Sequence, residues 1–338
     1  MNGGRHMNRN IAVRVITVAM LVFVHRAEAQ PAKTYRIGYL DPSSFSGAAP
    51  RLERLRQRLR ELGWVEGKNI AFEYRFGEEK GGEPLNDLAA ELVQLKVDII
   101  VARASRGALA AKQATSTIPI VIMGMGDPVG AGIVKNLAQP GGNITGITSL
   151  SPELGTKRLE ILKDVVPKLR LMGVLIMGER ERGRVGDERQ IKELEPAAQY
   201  LRVKLTYIEA KFEPKGLDNA FESAKRERVD AFAPLSSPLA VAERKRIVVL
   251  AAKHRLPGIY SAREFVDEGG LMSYGTDGPD QDRRAAYFVD RIFKGTKPAD
   301  LPVEQPMKFE FIINLKAAKQ IGLTIPPEVL ARANKVIR

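Results

Sequence analysis

Residues Pro119–Val134 read PIVIMGMGDPVGAGIV. A β-branched, apolar run passes into a loop carrying Gly124, Gly126, Gly130 and Gly132, and apolar residues then return at helical spacing. The reading is strand, glycine turn and helix, the arrangement whose free N–H groups cradle phosphate in nucleotide-binding proteins. The details argue against a nucleotide. The glycines are spaced G-x-G-x-x-x-G-x-G, one residue out of register for the dinucleotide fingerprint, and Pro128 lies inside the loop. No acid follows about twenty residues on to hold a ribose. The stretch also follows the fourth strand-like run of its set, whereas the fingerprint follows the first. No G-x-x-x-x-G-K-[ST] occurs anywhere in the chain.

Strand-like and helix-like stretches alternate on both sides of this segment. TYRIGYL (Thr34–Leu40) precedes an amphipathic helix over about Arg51–Leu62, and NIAFEYRF (Asn69–Phe76) precedes one over about Pro84–Leu95. VDIIVA (Val97–Ala102) leads to GALAAKQAT, and after NITGITSL (Asn143–Leu150) the pattern restarts. LRLMGVLIM (Leu169–Met177), VKLTYIEA (Val203–Ala210) and VDAFAPL (Val229–Leu235) each precede a helical segment. Such alternation predicts an α/β protein of two Rossmann-like lobes, each a parallel sheet flanked by helices. Connections are short and punctuated by Gly and Pro, so the lobes are closely joined.

The 338 residues suffice for two lobes, and 44% apolar content supports buried cores. Residues 1–29 read as a cleavable export signal. Arg5, Arg9 and Arg14 precede VITVAMLVFV (Val15–Val24), and AEA (Ala27–Ala29) offers a small-x-small cut site before Gln30. Ten apolar residues are too few to span a bilayer, which takes roughly 20. Removing this segment leaves 49 Lys+Arg against 39 Asp+Glu. These charges are interspersed on helical faces, as in RLERLRQRLRELG (Arg51–Gly63), without aromatic interleaving, so no nucleic-acid partner is expected. The chain has no cysteine, which also removes any lipid anchor at the cut site. The expectation is a periplasmic monomer, not membrane-spanning once the signal is removed.

Catalytic chemistry finds little support. His6 and His25 fall in the signal, leaving His254, beside Lys253 and Arg255, as a solvated cap near a helix end. With one His and no Cys, neither a Cys/His metal site nor a thiol nucleophile is available, and no G-x-S-x-G turn presents a serine. Neither a catalytic residue, a metal nor a cofactor is expected. Carboxylates such as Glu78, Glu79 and Asp277 read as surface charges. Loops at strand ends are instead rich in Ser, Gly and Asp: DPSSFSG (Asp41–Gly47), RASRG (Arg103–Gly107), GMGDPV (Gly124–Val129) and LSSPL (Leu235–Leu239). Ligands of open parallel sheets bind beyond such ends. These groups suit a small zwitterion, although each alone is also an ordinary cap or turn.

Several blocks resemble one family. STIPIVIMGMGDPVGAGIVKNLAQPGGNITGITSLSPELGTKRLEILKDVVP (Ser116–Pro167), GWVEGKNIAFEYRF (Gly63–Phe76), HRLPGIYSAREFVDEGGLMSYG (His254–Gly275) and KGTKPADLPVEQPMKFEFIINLKAAKQIGLTIPP (Lys294–Pro327) look like bacterial ABC-transporter substrate-binding proteins. The resemblance runs from about Tyr35 to the C-terminus. It implies a type I periplasmic binding fold of two lobes, residues 33–149 plus 276–305 and residues 150–274 plus 307–338. Three hinge crossings would fall near Leu150, near Ser273–Thr276 and near Gln305–Lys308. It implies capture of an amino acid or related organic acid, with a membrane permease and its ATPase as partners.

Carried over, the ligand contacts would be Ser43, Ser44, Ser105, Gly126 and Asp127, facing Ser236, Ser237 and Tyr260, with Tyr274 near the hinge. In this carried-over site Ser105 holds a carboxylate, Asp127 an ammonium group, and Tyr260 packs from the opposite lobe. The chain departs from the family pattern at Arg103, where a small residue is usual, and at Ala240 and Val241, where two phenylalanines are common. Gln281 and Asp282 replace an apolar–aromatic pair, and GERERGRVGDERQ (Gly178–Gln190) is unusually charged. Fewer rings and more charge point to a polar anionic ligand, if Arg103 faces the cleft rather than outward. Other readings consistent with the residues are a ligand-sensing receptor for a signalling partner and an enzyme of flavodoxin-like or racemase type. A transcriptional regulator would need a DNA-binding helix pair where the export signal stands.

Overall fold

The computed structural model describes residues 33–77, 84–178, 185–211 and 213–338. The expected signal at 1–29, the pair Glu78 and Glu79, and much of the charged stretch 178–190 lie outside the described residues. Tyr35–Arg338 make up one unit, and all the elements of the fold belong to it.

Strand and helix alternate as the pattern predicts. β1 (Tyr35–Asp41) leads to α1 (Phe45–Glu61), β2 (Ile70–Phe76) to α2 (Leu85–Gln94), and β3 (Ile99–Arg103) to α3 (Ala104–Ala114). β4 (Ile120–Met125) and β5 (Ile144–Thr148) follow. A second set begins with α4 (Ser151–Val165), β6 (Leu171–Met177), α5 (Val185–Tyr200), β7 (Lys204–Ala210) and α6 (Gly216–Arg226). It continues with β8 (Ala231–Pro234), α7 (Pro238–Ala242), α8 (Arg244–Lys253), β9 (Ile259–Tyr260), α9 (Arg263–Asp267) and β10 (Met272–Thr276). The chain then runs through α10 (Gly278–Phe293), β11 (Val303–Glu304), β12 (Phe309–Asn314), α11 (Leu315–Ile321), α12 (Pro327–Leu330) and β13 (Lys335–Ile337).

Strand pairing sorts these elements into two lobes. The first sheet has the order β11-β5-β4-β3-β1-β2, with every neighbouring pair parallel. The second lobe holds β7-β6-β8 and β13-β12-β10-β9, linked by a parallel bridge between Phe232 and Gly258. The chain passes from one lobe to the other between β5 and α4, between β10 and α10, and between β11 and β12. Ser273 lies inside β10, paired with Tyr260 and Ile312, so the second passage comes after Thr276.

The sequence explains why both faces of the first sheet are covered. Ile99 and Val101 pack with Leu52, Leu55 and Phe288, which come from α1 and α10. Their neighbours Ile100 and Ala102 pack on the other face with Leu88, Leu92 and Ala108, from α2 and α3. Successive strand residues point to opposite faces, so a strand covered on both sides reads as a continuous apolar run.

Three expectations are corrected. First, β10 and β12 pair antiparallel. One strand carries the chain out of the second lobe and the other brings it back at the same end, so they must run in opposite senses. Second, no helix follows β4: residues 126–143 form turns. Gly130 N–H is taken by the Asp127 carboxylate at 2.9 Å, and Gly132 adopts φ 64°. The apolar residues read as a helical stripe, Ile133 and Val134, are instead buried in the core beneath the turns. Third, His254 is the C-cap residue of α8 as expected but is not solvated: its side chain is 7% exposed and stacks on Phe221.

Glycine is required in the middle of the first sheet. Gly146 of β5 has φ 134°, and a Cβ there would overlap the Ile122 carbonyl of β4. Gly132 has a positive φ but open space around it. Gly146→Ala is expected to cost about 2–4 kcal/mol through both strain and overlap, and Gly132→Ala only about 1 kcal/mol through strain. Thermal or urea unfolding of the two variants checks the difference; equal losses would contradict it.

Candidate functional site

Because the first sheet is parallel, β1, β3, β4 and β5 all end on one edge, at Asp41, Arg103, Met125 and Thr148. Ligands of open α/β sheets bind at this kind of edge. Here the edge carries a charge cluster. Asp41 is buried, and its Oδ1 accepts from Ser43 N at 2.9 Å and Ser43 Oγ at 2.7 Å. Its Oδ2 accepts from Tyr39 Oη at 3.1 Å. Two guanidinium groups stand near the same carboxylate, Arg103 Nε at 3.8 Å and Arg51 Nη2 at 4.0 Å. Behind them Arg54 Nε donates to Asp282 Oδ2 at 2.7 Å, from α1 to α10.

Each charged side chain is aimed by its element. Arg51 lies on the stripe of α1 that buries Ala48, Leu52, Leu55 and Leu59, about two turns in from the N-cap Ser44. Arg103 is the last residue of β3, and Ala104 turns the chain directly into α3 with φ 53°. A left-handed alanine costs about 1–2 kcal/mol, and such strain gathers at functional sites.

The electrostatics follow from crowding. Burial lowers the Arg51 guanidinium, and the like charge of Arg103 lowers it further. Burial also works against Arg103, but Asp41, Tyr39 and Asp282 outweigh it and raise the group overall. Burial raises Asp282 despite Arg103 and Arg54, and pushes the Tyr39 hydroxyl up, with Asp41 adding to it.

The second lobe presents its own strand ends to this edge. Arg51 Nη1 reaches Glu264 Oε1 of α9 at 3.4 Å, and Asp127, after β4, pairs with Arg189 of α5. Arg189 also lies 3.5 Å from Glu153 of α4. Within the second lobe Ser236 is held from three sides. Its N–H donates to Gln190 Oε1 at 2.7 Å, its carbonyl accepts from Gln190 Nε2 at 3.1 Å, and its Oγ accepts from Arg158 Nη2 at 3.3 Å. Arg158 also donates to the Tyr274 carbonyl at 3.3 Å, and burial lowers its guanidinium to about 10.

The sequence-derived residues distribute unevenly. At the first lobe's strand ends, Ser43 and Gly126 lie on the loops after β1 and β4, Arg103 is the last residue of β3 and Ser105 is in the first turn of α3, while Ser236 follows β8 in the second lobe. Arg103 is not an outward surface residue, since its side chain is a quarter exposed beside buried Asp41. Ser44 and Ser237 are N-caps, accepting from Gly47 N at 3.3 Å and Ala240 N at 3.1 Å. Asp127 is engaged by Gly130 and Arg189 rather than standing free for an ammonium group. Tyr274 packs its ring on Phe309 and Phe311.

Tyr260 is a correction: it is 1% exposed in the core, stacked on Phe265 at 4.6 Å and edge-on to Phe232. The alternation of β9 sends Ile259 to one face and Tyr260 to the other, into the cluster with α8 and α9.

Sequence reasoning missed Asp41, Arg51, Arg54, Arg158, Arg189, Gln190 and Glu264. One signal was available: Arg51 falls four residues before Leu55, on the apolar stripe of a helix otherwise read as a solvated basic surface. Among the described residues no cluster of His, Asp or Glu suits a metal ion, and no helix is long and apolar enough to cross a membrane. The site offers hydroxyls, N–H groups and paired charges, which can hold a small polar solute.

Asp41 offsets two cations that would otherwise repel one another in a poorly solvated place. Asp41→Asn is expected to destabilise the protein by about 3 kcal/mol, more than Arg51→Met does. Urea unfolding decides this, and a loss below about 1 kcal/mol for Asp41→Asn would mean that the guanidinium pair is compensated elsewhere.

Comparison with known proteins agrees with this fold. The family model described as ABC transporter substrate binding protein matches residues 50–337. A tyrosine-binding protein of Clostridioides difficile is 27% identical over 266 residues, covering 78% of this chain and 74% of that protein. A conserved domain protein of Vibrio cholerae superposes with a TM-score of 0.81 at 29% identity, over 90% of this chain and 100% of the other. An ABC domain from Streptococcus pneumonia, solved in complex with L-Trp, gives the same TM-score of 0.81 at 24% identity, over 90% and 100%. These neighbours share the two-lobed type I periplasmic binding fold. With the family model spanning both lobes, this chain belongs to the ABC transporter substrate-binding proteins.

Proposed function

We propose that the chain is the periplasmic solute-binding component of an ABC importer. It captures a small carboxylate-bearing molecule, an amino acid or related organic acid, and delivers it to a membrane permease driven by an ATPase. Residues 1–29 act as the export signal, and the mature chain works as a monomer. Residues 33–149 with 276–305 form one lobe, and residues 150–274 with 307–338 form the other. The observation that carries this reading is the facing of two sets of strand ends, bridged by Arg51–Glu264 and Asp127–Arg189. Amino-acid capture is supported by the relative named for tyrosine binding and the neighbour solved with L-Trp.

In this reading the hydroxyls of Ser43, Ser105 and Ser236 and the N–H groups around Gly126 hold the solute. Arg103 lies beside them. No bond of the solute is broken. Closure requires only that the solute touch both lobes at once, so that it binds the closed arrangement better than the open one. Arg189 and Glu264 meet the first lobe in the closed arrangement and lose those partners when the lobes part.

Two measurements test the proposal. Ligand-stripped protein should melt higher with at least one free amino acid or organic acid, by about 2.7 kcal/mol of stabilisation at one hundred times its Kd. A panel of such compounds with no effect, or chemical conversion of the one that binds, would refute the reading. The chain recovered from the periplasm should begin at Gln30; uncleaved protein in the cytoplasm would contradict the assigned location.

A further inference from the structure

A neutral amino acid brings one carboxylate and one ammonium group, which hydroxyls and backbone N–H groups can satisfy. The cleft edge of the first lobe holds more cation than that task requires. Asp41 already accepts three hydrogen bonds from Tyr39 and Ser43. Arg103 and Arg51 therefore stand 3.8 and 4.0 Å from its Oδ2, attracted by charge but beyond hydrogen-bond distance. The Arg103 guanidinium donates no hydrogen bond among the described residues, although its side chain is only a quarter exposed. Arg51 Nε is buried without a partner, and its two other donors reach Ser43 and Glu264 only at 3.5 and 3.4 Å.

The nearby charges do not absorb this surplus. Arg54 and Asp282 form a close pair of their own at 2.7 Å. Glu264 belongs to the opposite lobe, and its side chain is 41% exposed, so it withdraws from Arg51 when the lobes separate. The first lobe then presents Arg51 and Arg103 against Asp41 alone, one positive charge in excess. Gly124, with φ 74°, sets no side chain against the fork: a Cβ there would lie 3.5 Å from Arg103 Nη1 and 3.7 Å from Gln281 Oε1.

We propose that the captured solute carries a second anionic group, as an acidic amino acid or a dicarboxylate does, and that Arg103, with Arg51, receives it. Arg103 is thereby the specificity-determining residue of the cleft. Its planar fork matches a carboxylate in two hydrogen bonds at once. Glu264 is away from Arg51 while the lobes are apart, so both guanidinium groups meet the incoming anion against Asp41 alone. A neutral aromatic amino acid would leave the Arg103 fork unmatched in a partly desolvated place, which disfavours it.

This inference rests on the solute-binding reading, and calorimetric titration of the ligand-stripped full chain tests the two separately. The probes are L-glutamate, L-aspartate, succinate, L-tyrosine and L-tryptophan, each at low and moderate salt. At least one acidic probe should bind ten times or more tighter than tyrosine and tryptophan, and lose affinity as salt rises. Arg103→Ala should weaken that probe by roughly 10- to 100-fold and change the neutral amino acids by less than about threefold. Arg103→Lys, which keeps the charge but not the fork, should recover part of the loss. Should Arg103→Ala fail to fold, the wild-type ranking and the lysine variant still decide.

Preference for tyrosine or tryptophan over every acidic probe overturns the inference and leaves the solute-binding reading intact. So does an equal loss for acidic and neutral probes in Arg103→Ala. Binding of none of these probes overturns the inference, and the absence of binding to any amino acid or organic acid overturns both.

Discussion

The carboxylate of Asp41 sits where β1 ends, with almost no access to solvent, and the charged edge of the first lobe is arranged around it. Two guanidinium groups so close together would repel strongly in a medium of low dielectric constant. Asp41 makes their proximity tolerable without taking hydrogen bonds from either, because Ser43 and Tyr39 fill its lone pairs first. The outcome is a preorganised pair of cations, neither of which is hydrogen-bonded to Asp41. Such an arrangement is costly in a core and useful in a receptor. The anion proposed to bind there would find fixed dipoles and charges and would not have to order them.

The hinge follows from the same topology. Parallel sheets place every strand end on one edge, so each lobe has a single face suited to a ligand. The three passages between the lobes lie at that end of the sheets, and β10 and β12 run side by side in opposite directions as the chain leaves and returns. Across this hinge the lobes meet in the ion pairs Arg51–Glu264 and Asp127–Arg189. Exposed or half-exposed pairs contribute roughly 1 kcal/mol or less each. In the proposed function, pairs of this strength leave closure to be stabilised by the solute.

The second lobe supplies the complementary half by different means. Gln190 clamps both the N–H and the carbonyl of Ser236, while Arg158 holds its hydroxyl and the Tyr274 carbonyl. Buried polar groups persist when every member has a partner. This network fixes the position of the loop after β8 and ties it to β10, the strand that leads into the hinge. A rigid wall on one side and a charged one on the other suit recognition of a small polar solute.

Much of the architecture was legible in the residues alone, because hydrophobic periodicity reports local structure directly. The runs IPIVIM and LMGVLIM are apolar at consecutive positions, which a strand needs when helices cover both its faces. The absence of cysteine and the scarcity of histidine removed whole classes of chemistry before any fold was considered. The family resemblance singled out Arg103, where a small residue is usual; residue pattern alone did not. It could not say that Ile133 and Val134 are buried under turns rather than along a helix, because an apolar spacing is the same in both cases. Nor could it separate Arg51 from the other arginines of its helix, or send Tyr260 into the core while Arg103 stays at the edge. Those outcomes depend on which face of an element meets which neighbour, and on charges brought together from α1, β1, β3 and α10, far apart along the chain. Contacts of that kind exist only once the sheets have formed and the lobes have met, so the tertiary structure alone decided them.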